Sequence, residues 1–188
     1  MEVTWNFFLL LLDFIISICY KYIRRELYIK KFFIILFVII VIIGIAVGTL
    51  FFVLSKEKEP ITKDQFSTKM QDMGFTITDA SDQMADYSYV KSATLAIDGN
   101  RTYQIEFYEL SDETYATAFY NNNKSIFEST KSGASTESNI NGKNYSKYTL
   151  TSNGKYMVVS KVANTVAFVN VSSDLKDNVN TILKELGY

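Results

Sequence analysis

The chemistry open to this chain is limited first by the residues it lacks. It has no histidine and one cysteine, Cys19. Imidazole general bases, paired thiols and ordinary zinc sites therefore have no donors in its domain portion. Carboxylates remain, in two clusters: Asp79, Asp82 and Asp86, then Glu106, Glu109, Asp112 and Glu113. Paired carboxylates can cleave glycosidic bonds or hold calcium, but the first cluster lacks the alternating spacing and glycine of a calcium loop. Both clusters read better as solvated turn residues and helix-cap charges. No serine sits in a nucleophile elbow. No catalytic residue, metal ligand or cofactor site is assigned, and the expectation is a protein that is not an enzyme, with a carboxylate-dependent surface hydrolase as the last-ranked alternative.

Thirteen tyrosines are the remaining chemical resource. Tyr103, Tyr145 and Tyr156 fall at inward strand positions, whereas Tyr108 and Tyr120 read as exposed. An exposed ring can stack on a sugar or anchor a protein contact with little entropy to lose. Tyr108 and Tyr120 are thus the candidate surface-binding residues, although strand propensity alone also favours tyrosine.

The positioning elements divide at Phe32 to Leu54, a run of 23 residues without a charge. As a helix it would extend roughly 34 Å, enough for a ~30 Å hydrocarbon layer. Lys21, Arg24, Arg25, Lys30 and Lys31 precede it within eleven residues, opposed only by Glu26. Such a basic cluster stays cytoplasmic and determines topology, which sends the C-terminal portion outside the cell. From position 60 onward, 12 basic and 15 acidic side chains give about −3. That balance argues against nucleic acid as a partner.

The first apolar segment, Trp5 to Tyr20, carries Asp13 near its middle. It reads as a first transmembrane helix with Asp13 contacting another membrane protein, as an interfacial helix, or as a start site placed too far upstream. A lipid anchor on Cys19 is disfavoured by the bulky Ile18 before it. Gly44 and Gly48 have the four-residue spacing that lets two helices approach, which fits a homodimer face; a lone anchor is the simpler reading. The partners expected are the lipid bilayer and another membrane or envelope protein.

Residues 55–60 read as a short linker and 61–188 as a folded domain. Thr62 with Gln65 forms a capping box, Ile61 and Phe66 a hydrophobic staple, and Gly74 a helix stop. Phe75 to Thr78 alternates as a strand. Tyr89 to Ile97 and Thr102 to Leu110 flank Asp98-Gly99-Asn100 as a hairpin. Ser111 starts a helix to about Glu128, with Tyr115, Phe119 and Ile126 as its packed face. The polar stretch Ser129 to Asn141 reads as a solvated loop. Strands follow at Tyr145 to Thr151, Tyr156 to Val162 and Val166 to Val171. In the final helix Leu175, Val179, Ile182 and Leu186 form one stripe and Gly187 ends it.

The predicted fold is α+β: a twisted antiparallel sheet of five to six strands with helices on one face, in the order α-βββ-α-βββ-α, suggesting divergent duplication, preceded by one or two transmembrane helices. The predicted function is a membrane-anchored extracytoplasmic binding domain of the cell envelope, ligand unspecified. The alternative is an accessory or sensory subunit of a larger membrane complex.

Overall fold

The computed structural model describes residues 15–17 and 29–188. It separates into two units, Met1–Ser55 and Lys56–Tyr188. In the first unit, helix α1 spans Ile29–Ser55, 27 residues. Most of its described apolar side chains are exposed, Phe37 at 67 % and Ile45 at 62 %, while Phe32, Leu36 and Ile39 are half-buried. Among the described residues, no helix is long and apolar enough to cross a membrane.

The second unit opens on helix α2, Lys63–Asp72. Thr62 accepts from the Gln65 backbone N–H at 3.2 Å and Gln65 Oε1 accepts from the Thr62 N–H at 2.9 Å, completing the capping box. Gly74 stops the helix at φ +87°, a conformation that suits glycine, and the Phe75 N–H reaches back to the Met70 carbonyl. Strands β1 (Thr76–Asp79), β2 (Val90–Ile97) and β3 (Gln104–Leu110) follow, with a single 3-10 turn, Ser81–Met84, between β1 and β2. Helix α3 is Glu113–Ser129. Strands β4 (Thr136–Asn141), β5 (Tyr145–Ser152), β6 (Lys155–Val162) and β7 (Thr165–Ser172) lead to helix α4, Lys176–Glu185. The seven strands make one sheet in the order β1-β2-β3-β7-β6-β5-β4, and every pairing is antiparallel.

This corrects the expected fold in three respects. The strand count is seven, in the order α-βββ-α-ββββ-α, so a triplet meets a quartet and the duplication loses its symmetry. The stretch expected as a loop contains the edge strand β4, whose six residues are all exposed; no apolar alternation marks it because it has no buried face. Helices also cover both faces of the sheet. On β3, Phe107 stacks on Phe66 of α2 at 4.6 Å, while its neighbour Tyr108 meets Phe119 of α3 at 4.7 Å. Successive strand residues point to opposite faces, so α2 and α3 lie on opposite sides. Helix α4 shares the α2 side, since Tyr156 donates to Asn180 at 2.7 Å and Tyr188 meets Phe107 edge-on. Two-sided coverage explains β6, where seven of eight residues are buried.

The packed face of α3 is also rotated from the expected one. Ala116, Tyr120 and Phe127 are its buried residues, whereas Tyr115 and Ile126 are 46 % and 51 % exposed. Val179, Ile182 and Leu186 of the stripe predicted for α4 are buried, with Leu183 added to them; Leu175 falls in the 3-10 turn before the helix and is half-buried.

Candidate functional site

The rotation of α3 produces the most distinctive surface of the second unit. Asp112 caps the helix by accepting from the Tyr115 N–H at 3.0 Å, which fixes the first turn and leaves the Tyr115 ring outside the packed stripe. The 3-10 turn is fixed opposite. Asp79 accepts from the Ser81 N–H at 2.9 Å and hydroxyl at 2.6 Å, and the Ala80 N–H donates to the Ala93 carbonyl. The chain then climbs through Tyr87 and Tyr89 into β2, with the Ser111 N–H bonded to the Tyr89 carbonyl at 2.8 Å.

These constraints bring five aromatic rings around one cleft of about 550 Å³, lined by Met84, Tyr87, Tyr89, Tyr108, Tyr115 and Phe119 together with Asn122 and Asn123. Tyr89 and Tyr115 stack face to face, centroids 5.0 Å apart and planes 6° from parallel. Tyr87 meets Tyr89 edge-on at 5.8 Å. No charged side chain lines the cleft. Its walls offer flat ring faces, phenolic hydroxyls and carboxamides, the groups that hold a neutral ligand by contact area and hydrogen bonds.

Tyr108 belongs to the floor. It is 6 % exposed and donates to Glu106 at 2.5 Å; burial first, then that carboxylate, raise its hydroxyl above the usual tyrosine range. The expectation of an exposed Tyr108 is therefore corrected, and so is that for Tyr120. Tyr120 is 4 % exposed, donates to Asn139 at 3.3 Å, and is pushed up to about 12 by burial and then by Glu128. Both are buried in one seam: Tyr108 lies on the sheet face that α3 covers, and Tyr120 on the side of α3 that packs against it. The exposed rings are Tyr87, at 50 %, and Tyr115. Tyr87-Ser88-Tyr89 places two rings two residues apart at a strand entrance, which is the signal a sequence reading could have used.

The other predicted residues lie elsewhere. Asp13, Lys21, Arg24 and Arg25 fall outside the described residues. Lys30 and Lys31 sit in the first turn of α1. Gly44 and Gly48 lie in mid-helix, and an added Cβ at either would meet nothing within 4 Å. Four of the seven clustered carboxylates are engaged by the fold: Asp79 pairs with Lys63 at 2.5 Å, Glu113 with the buried Lys161 at 2.7 Å, Glu106 accepts from Tyr108 and Asp112 caps α3.

A second cleft, about 570 Å³, lies between the end of α2, the β2–β3 turn and α4. Several of its polar groups are already bonded within the fold. Asp98 accepts from the N–H groups of Asn100, Thr102 and Tyr103, and the Tyr103 hydroxyl accepts from Asn178 at 2.8 Å. The aromatic cleft is the better candidate because its rings face solvent.

Compared with protein-family models, with curated proteins and with solved structures, the chain matches none.

Proposed function

We propose that this chain is a membrane-anchored, extracytoplasmic binding domain of the cell envelope, with α1 as its anchor and the aromatic cleft as the ligand site. The observation that carries the reading is the uncovered apolar surface of α1. A helix with Ile40, Ile42, Ile45 and Val47 all exposed is costly in water, because each apolar side chain left there forgoes about 1.5–3 kcal/mol of burial. Lipid removes that cost. Taken over the described residues the helix falls short of a crossing, but the sequence from Phe32 to Leu54 counts every residue and carries no charge. At 27 residues the helix extends roughly 40 Å at ~1.5 Å per residue.

The Lys21, Arg24, Arg25, Lys30 and Lys31 cluster supports a cytoplasmic N-terminal flank and an exterior domain. The uncharged, tyrosine-rich lining favours a neutral envelope polymer, a glycan strand first, over an anionic one. A helix partner in the membrane is the second reading, favoured by the open surface at Gly44 and Gly48, which permits close approach of another helix.

The test has two parts. Membrane fractionation should place the chain with the bilayer, and protease added to intact protoplasts should digest residues 56–188. Pull-down on purified, insoluble envelope glycan should then retain the parent chain and lose the Tyr115→Ala and Tyr87→Ala variants. Recovery of the chain in the soluble fraction, or equal retention of all three proteins, rejects the corresponding half of the reading.

A further inference from the structure

The two edges of the sheet are built differently. Strand β1 is four residues long and has the Lys63–Asp79 ion pair at its end. Short length and charge are the usual devices that stop an edge from recruiting another strand. Strand β4 is longer, and its one charge, Glu137, is tied to Lys131. It runs six residues, Thr-Glu-Ser-Asn-Ile-Asn, without proline or lysine, in unbroken register with β5 from Thr136↔Thr151 to Asn141↔Ser146. Among the described residues nothing pairs with its outer side.

Register determines which backbone groups are left over. The Gly142 N–H donates to the Tyr145 carbonyl at 2.8 Å, so position 142 faces β5. Alternation along an antiparallel ladder then turns Thr136, Ser138 and Ile140 toward β5, and Glu137, Asn139 and Asn141 outward.

We infer that β4 is a self-pairing edge: two copies of this chain join β4 to β4 antiparallel, about a two-fold axis normal to the sheet through Asn139. Such an axis keeps each sheet face on its own side, so facing residues must have the same parity. Asn139 then faces Asn139, Glu137 faces Asn141, and Ser138 faces Ile140. The three outward positions of each copy form about six hydrogen bonds, two per facing pair. The charge pattern identifies the occupant. Glu137 is the single charge on the strand, it is already paired with Lys131 and accepts from Tyr148 at 2.8 Å, and the two-fold axis sets it against a neutral asparagine. Like charges never meet, and Ile140, 44 % exposed in one copy, gains a neighbour across the seam. This inference is independent of the aromatic cleft.

The test uses the full chain in detergent, with Cys19→Ser removing the only native thiol. Adding Asn139→Cys should give a disulfide-linked dimer on mild oxidation, because facing residues on paired strands have Cα separations within disulfide reach. Thr78→Cys, on the opposite edge, should stay monomeric. In sedimentation, Asn139→Lys and Asn139→Pro should each weaken self-association at least tenfold, with circular dichroism verifying that they fold. A monomer at every concentration overturns the inference, as does a dimer indifferent to both substitutions, equal cross-linking at Thr78→Cys, or cross-linking of Asn139→Cys only to a different protein.

Discussion

Phe66→Ala and Phe127→Ala, made one at a time, test whether the sheet is covered on both sides. Phe66 on α2 is fully buried against Phe107, and Phe127 on α3, 2 % exposed, packs on Phe168 at 5.1 Å. A buried phenylalanine takes roughly 150–200 Å² out of water, worth about 4–5 kcal/mol at ~25 cal/mol/Å². The alanine methyl retains a little under 1 kcal/mol of this, and the cavity left behind adds to the loss. Each substitution should therefore cost about 3–5 kcal/mol, lowering the Tm of the 56–188 unit by about 10–20 °C. Urea unfolding followed by far-UV circular dichroism supplies the free energy, and an unchanged slope against denaturant shows that the unfolded state is not the cause. Phe66→Leu, which keeps most of the apolar volume but loses the stacked ring, should cost about 1–2 kcal/mol, less than Phe66→Ala. A loss under about 1 kcal/mol for either alanine variant would mean that one helix does not cover its face, and the two-sided architecture would fall with it.

Three further outcomes follow from single sites. Gly142→Ala should loosen the β4–β5 turn, because a Cβ there collides with the Tyr145 ring; faster amide exchange confined to β4 would verify this, and unchanged exchange would refute it. Gly74→Ala forces a side chain into φ +87° and should destabilise by about 1 kcal/mol or more, read from urea midpoints. Burial works to raise the Asp98 carboxyl, but bonds from the Tyr103 N–H, the Thr102 hydroxyl and N–H, and the Asn100 N–H hold it below its ordinary 3.8. A depressed acid stabilises fully above its unfolded value and loses that contribution as pH falls through the folded one. The parent should thus lose stability below about pH 4 more steeply than Asp98→Asn; parallel Tm–pH curves would contradict the role given to that carboxylate.

Local signals were legible where one short segment contains the whole cause. Thr62, Gln65 and Gly74 bound α2, Asp98-Gly99-Asn100 lies in the β2–β3 turn, and Val179, Ile182 and Leu186 set the buried stripe of α4, because capping, turn conformation and helical periodicity are properties of consecutive residues. The apolar stretch from Phe32 to Leu54 and the basic residues before it are equally local.

What the sequence could not decide is which surfaces other elements cover. Tyr108 and Tyr115 have the same side chain, yet one is a floor and the other a wall, because α3 lies over the sheet face that bears Tyr108 and turns Tyr115 away from it. Strand β4 has no apolar pattern of its own and is a strand only because β5 presents it with a ladder of hydrogen-bonding partners. Burial and pairing are relations between segments far apart along the chain, and they come into being only when the chain is folded.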